Sequence, residues 1–184
     1  MYKLKTAPAS EPITTVNAKL FLKVTNTAED TLIANMVKAA RGYLETFAKR
    51  SFITQTWQLY LDRFPYEIEL YYGTVASVES IKYIDADGTE QTLSASLYQT
   101  DLVSNPARIM PAVDQDWPDI QTGRMNAITV EYIAGSATVE EKVISAIYLL
   151  LGHIYANRQD VVVGSQVNKM PQGSEYLISS LRLF

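Results

Sequence analysis

Two segments at opposite ends of this chain carry helical apolar spacing, and everything between them reads as strand. In Val139–Arg158 (VEEKVISAIYLLLGHIYANR), Val143, Ile147, Leu150, Leu151 and Ile154 recur every three or four residues and share one face of a helix. In Ala28–Arg50, Leu32, Ile33, Met36, Val37, Ala40, Tyr43, Leu44 and Phe47 do the same. A helix with one apolar stripe needs a partner to cover it. The pattern therefore predicts that the two helices pack as one body, with residues 51–137 as a β-rich insertion. End chemistry agrees. Thr138 is placed to cap the second helix, and Glu140 and Glu141 fall in its first turn, where the helix dipole favours negative charge; Arg158 lies near the opposite end. Asn26 or Thr27 caps the first helix, and Thr27 with Asp30 has the spacing of a capping box, Asp standing for the usual Glu. Gly42 costs that helix about 1 kcal/mol relative to Ala, and marks either a close helix contact or simple tolerance.

The remaining elements follow in order. Residues 1–12 are polar and contain Pro8 and Pro12, which predicts an extended arm. Val16–Val24 predicts a short helix with Val16, Leu20 and Phe21 available to pack. Ile53–Phe64 alternates, with Trp57, Leu59 and Leu61 on one side, and ends at Pro65. Glu67–Tyr72 alternates again. Val75–Asp85 and Thr89–Leu93 form a hairpin around Asp87-Gly88. Leu97–Val103, Arg108–Met110 and Ala127–Ile133 complete the strands, with a polar loop, Ala112–Asn126, before the last. The expected class is α+β: a small helical bundle (a short N-terminal helix, two long helices and a C-terminal segment) with an antiparallel β-rich insertion. The expected division is an N-terminal arm, 1–12; a helical core, 13–52 and 138–158; the insertion, 53–137; and a C-terminal docking tail, 159–184. In that tail Val161, Val162, Val163, Tyr176, Leu177, Leu181 and Phe184 are too apolar for a free linker. They dock either on their own domain or on a neighbouring subunit or another protein.

Composition excludes more than it assigns. A chain of 184 residues can bury a core without staples, and it has no cysteine, which removes thiol catalysis, disulfides and cysteine-based zinc sites. A formal charge of −4 with no Lys/Arg run argues against free nucleic-acid binding. No apolar signal core follows Lys3 and Lys5, and Val143–Ala156 is too short to span a bilayer, so a soluble protein is expected.

Candidate chemistry is sparse. His153 is the single histidine, flanked by apolar residues, and is read as structural; a general base would need an orienting partner within hydrogen-bond reach. Asp85-Ala86-Asp87-Gly88 resembles the start of a calcium loop, but its flanks are strands, which favours a hairpin turn. Asp114, Asp116 and Asp119 surround Trp117 in a loop. Three carboxylates can hold a hard cation, although a solvated loop is the plainer reading. Trp117, followed by Pro118, is a candidate loop contact that either plugs a neighbour's pocket or tucks back onto the sheet. No phosphate-loop, dinucleotide or nucleophile-elbow motif is present. No catalytic, cofactor or metal site is assigned.

Three segments together carry a resemblance. They are VNAKLFLKV with EDTLIANMVKAARGYLETFAKRSFITQTW, the hairpin SIKYIDADGTEQTLSASLYQTDL, and AITVEYIAGSATVEEKVISAIYLLLGHIYANR. The chain resembles the head–tail connector, or adaptor (head completion), proteins of tailed bacteriophages and gene transfer agents, in the larger form with a β insertion between helices. The resemblance implies a structural virion protein of the neck, made in the host cytoplasm, without enzymatic activity or cofactor. It implies a homo-oligomeric ring, usually of twelve copies, beneath the portal protein. Such a ring extends the viral DNA channel without sequence-specific binding and gives the tail stopper or terminator a docking surface. It also implies that the C-terminal segment reaches the portal. The residues alone leave two other classes open: a monomeric peptide- or sugar-binding module using the β insertion and the Trp117 loop, and a carboxylate-dependent hydrolase using Asp114 or Asp116.

Overall fold

The computed structural model describes residues 1–157, 177 and 179–181. The fold is α+β, and the chain divides into two compact units. One comprises Met1–Pro8 and Ile53–Ala137; the other comprises Ala9–Phe52 and the chain from Thr138 onward.

The first unit is built on strands β1 (Tyr2–Thr6), β2 (Gln55–Leu61), β3 (Ile68–Leu70), β4 (Val75–Ile84), β5 (Glu90–Thr92), β6 (Tyr98–Asp101), β7 (Ala107–Pro111) and β8 (Ile128–Ala134). Five form a sheet in the order β1-β2-β8-β4-β5, and three form a second in the order β3-β7-β6; all pairs are antiparallel. Strand β8 sits at the centre because its alternation is strict: Ile128, Val130, Tyr132 and Ala134 are buried, and the residues between them are half-buried. Both sheets feed one core, with Leu59 and Ile81 from the larger and Ile68, Leu70 and Ile109 from the smaller. The polar N-terminus, expected as an extended arm, is extended but not loose. Tyr2–Thr6 is zipped onto β2, the Met1 ammonium donates to Tyr60 O at 2.8 Å, and Lys5 Nζ reaches Glu131 at 2.7 Å.

Gly135 closes this unit's end. Its φ of +98° belongs to the left-handed region, and a Cβ there would lie 2.1 Å from Ile53 O. Only glycine fits, and the close approach lets Ile53 bridge to Ser136.

The second unit is a helical bundle of α1 (Thr15–Leu22), α2 (Asp30–Ala48) and α3 (Glu141–Ala156), in which α2 packs on α3 and α1 on both. Its core is Ile33, Val37, Ala40, Leu44 and Ala48 of α2 with Val143, Ala146, Ile147, Leu150 and Leu151 of α3, joined by Ala18, Ile13 and Phe52. Each large aliphatic side chain so buried contributes about 1.5–3 kcal/mol.

Three expectations about this unit change. Helix α1 turns only Ala18 fully inward; Val16 and Leu20 are 67% and 73% exposed, because a two-turn helix lying against two others has room for a small residue at the contact. Phe21 packs sideways, its ring 4.9 Å from that of Tyr148 and its edge 3.2 Å from where a Cβ on Gly152 would sit. The capping box at Thr27 is not made: Glu29 holds the N-cap position without a side-chain capping bond, its carboxylate accepting instead from Tyr155 OH at 2.6 Å, and Asp30 takes Lys19 Nζ at 2.6 Å. Helix α3 begins after Glu140, not at Thr138. The Glu140 carboxyl, held below the usual range by Lys142 and Arg50, binds both. Arg158 lies outside the described residues.

Candidate functional site

Of the residues nominated for chemistry, Asp85 and Trp117 have structural partners, and Asp114, Asp116 and Asp119 face solvent. Asp85 is the hub of the β4–β5 hairpin. Its Oδ1 accepts from the backbone of Asp87 and Thr89 at 3.1 and 2.9 Å, and its Oδ2 accepts from Gln91 Nε2 at 2.9 Å. Gln91 and the Thr89 amide hold its carboxyl below the ordinary value. Asp87-Gly88 is the turn itself. His153 lies half-buried in the last turn of α3, where its carbonyl accepts from Asn157 N at 3.0 Å and Asn157 Nδ2 at 2.9 Å. Asp114, Asp116 and Asp119 are exposed, and among the described residues no three carboxylate or imidazole groups converge to hold a metal ion.

Trp117 folds back onto its own unit. Its indole stacks on Phe64 with ring centres 4.6 Å apart and planes at 7°, and Nε1 donates to Pro65 O at 2.8 Å. The half-buried ring therefore pins the long polar loop to the end of β2. A second aromatic group gathers near β1. Tyr2 meets Tyr71 and Tyr72 edge-on, Tyr72 stacks on Trp57 at 4.0 Å, and Tyr2 OH donates to Glu69 O at 2.7 Å. Burial pushes the Tyr2 phenol well above its ordinary value. Beside it runs an open groove of about 510 Å³ lined by Leu59, Tyr66, Glu67 and Tyr71 among others. It lacks the enclosure and convergent polar groups of a small-molecule site.

Of the residues expected at a partner interface, Leu181 is buried, 2% exposed, in the core of the helical unit, and Leu177 is half-buried against it. Val161, Val162, Val163, Tyr176 and Phe184 lie outside the described residues. Sequence reasoning did not single out the exposed apolar faces of the helical unit. Val16 and Leu20 stand on α1, and Leu32, Tyr43 and Phe47 on α2 are 41%, 54% and 37% exposed. The available signal was the width of the α2 stripe, too broad for a single contact face.

Among the described residues no helix is long and apolar enough to cross a membrane. Among the described residues, His153, Asp114, Asp116 and Asp119 are not brought together into a catalytic arrangement.

No family model matches the chain, and no curated protein matches it in sequence. Solved structures do match in fold. A chain described as the neck of an empty GTA particle computed with C6 symmetry has a TM-score of 0.81 at 22% identity, covering 100% of this chain and 96% of that one. A chain from the virion of a native gene transfer agent particle has a TM-score of 0.78 at 22% identity, with the same coverage. A chain from the neck of a native GTA particle computed with C12 symmetry has a TM-score of 0.74 at 22% identity, covering 99% and 96%. This chain shares their fold.

Proposed function

We propose that this chain is a structural protein of a virion neck, an adaptor whose copies form a ring beneath the portal. The observation that carries the reading is the likeness in fold to neck chains of gene transfer agent particles, one of them in a C12 arrangement. In this reading twelve copies extend the DNA channel and join the portal to the tail stopper or terminator. Two features of the chain support it. Among the described residues every buried side-chain nitrogen and oxygen has a partner, as suits a part whose work is to hold a shape. Its net charge of −4 keeps phosphates from sticking to a conduit, within a screening length of about 8 Å at physiological salt. Leu177 and Leu181 serve the helical core, so the portal contact falls to Val161, Val162, Val163, Tyr176 and Phe184. A monomeric binding module and an Asp114/Asp116 hydrolase have less to stand on, because Trp117 is held by its own unit and the aspartates face solvent.

The test is complementation of head–tail joining. DNA-filled heads from a particle lacking this chain are mixed with tails, with and without the purified protein. Joining that depends on the added protein is expected. Joining that proceeds equally without it overturns the proposal.

A further inference from the structure

We infer that neighbouring copies meet through two unlike faces of the helical unit: the outer face of α1, Val16 and Leu20, seats on the flank of α2 formed by Leu32, Met36, Ala39, Tyr43 and Phe47. The inference rests on the ring reading above and names the surfaces that close it.

Helix geometry separates the two faces. At about 100° per residue, the buried stripe of α2 (Ile33, Val37, Ala40, Leu44 and Ala48) divides the remaining surface into two flanks. Asp30 and Arg41 lie on one flank. Asp30 binds Lys19 of α1, and Arg41 binds Glu11, just before α1. Helix α1 therefore runs along that side. Leu32, Met36, Tyr43 and Phe47 lie on the other side, with exposed Ala39 among them and no charged residue in the row. On α1, Val16 and Leu20 point away from Ala18 and thus away from the bundle.

Two apolar faces on opposite sides of one unit are what a head-to-tail contact needs; a face that met its own copy across a two-fold would need only one. Their shapes are also complementary. Val16 and Leu20 form a short ridge, and Ala39 leaves a notch between Met36 and Tyr43 into which such a ridge packs. The Tyr43 and Phe47 rings leave roughly 200 Å² open, the dry centre of an interface rather than all of the ~800 Å² a specific contact covers on each side. A contact of that size is weak singly and sufficient when every subunit makes two in a closed ring. In a chain of net charge −4, these uncharged rows also let like copies approach with little repulsion.

The test uses the full chain with Ala39→Arg and Leu20→Arg, both at exposed helix positions where arginine is a good helix former. Assembly is followed by sedimentation and native mass spectrometry, free and on portal-bearing heads. Each variant alone should keep the wild-type Tm and need more than roughly tenfold higher concentration to assemble. Mixed in equal amounts and raised above the concentration at which the wild type closes rings, they should give one-to-one heterodimers before either variant alone pairs, and no rings, because each pair retains one intact α1 face and one intact α2 flank. Wild-type assembly by either variant overturns the inference, as do homodimers of a single variant at the concentration where the wild type assembles. A fall in Tm with rings intact assigns the flank to the chain's own residues and also overturns it. If the wild-type chain builds no ring at any concentration or on heads, the neck reading itself falls.

Discussion

At the scale of single residues, glycines in different surroundings make opposite predictions. Gly135→Ala forces a Cβ to within 2.1 Å of Ile53 O at a φ of +98°, so it should lower stability by about 3 kcal/mol or more. Gly42 sits inside α2 with nothing of its own chain within 4 Å of a Cβ, so Gly42→Ala should raise stability by about 1 kcal/mol. Thermal denaturation of the two variants reads both signs at once. Asp101 makes a pH prediction. Its carboxylate accepts from Ser104 Oγ at 2.6 Å and Arg108 Nη2 at 2.7 Å, and these partners, Ser104 first, hold its pKa well below the ordinary 3.8. A lowered folded-state pKa adds stability that is full above the unfolded value and is lost as pH falls through and below about 4. Asp101→Asn should therefore flatten the acid limb of a stability–pH curve and leave its slope above pH 5 unchanged. Asp101 was legible only as part of a strand, because its partners come from a turn and from β7.

At the scale of elements, the ion cluster on α2 does more than a surface pair. Arg41 binds Glu11 and Glu45, whose other oxygen accepts Phe52 N at 2.8 Å. Burial lowers the guanidinium's basicity, but the bonds from Glu11 and Glu45 outweigh it and raise it. Arg41→Met should cost about 2 kcal/mol, measured by urea denaturation, because it leaves two carboxylates facing each other in a largely buried site. Strands declared themselves in the sequence through their alternation, as in Ile128–Ala134, since a period of two is a local property. The split into two sheets did not, because the pairing of β3 with β7 joins residues far apart in sequence. The N-terminal strand Tyr2–Thr6 was missed because, at a sheet edge, four of its five residues stay exposed and need not be apolar. Helix α1 misled for a related reason: Val16, Leu20 and Phe21 outweigh Ala18 in any apolar count, yet the small residue makes the contact. On α2, eight apolar residues read as one face turned out to be a buried stripe and an exposed flank.

At the scale of the whole molecule, the two units differ in what they do with their apolar side chains. Aromatic clamps such as Trp117 on Phe64 fix the long loop of the β unit, and the helical unit keeps apolar rows that its own core does not consume. The candidate site is thus a set of surfaces, which sequence can suggest by composition but cannot place. The most direct measurement is cryo-electron microscopy of portal-bearing heads incubated with the purified protein. The account predicts a closed ring of copies coaxial with the portal. Heads that remain bare while the protein stays as single copies in solution would contradict it.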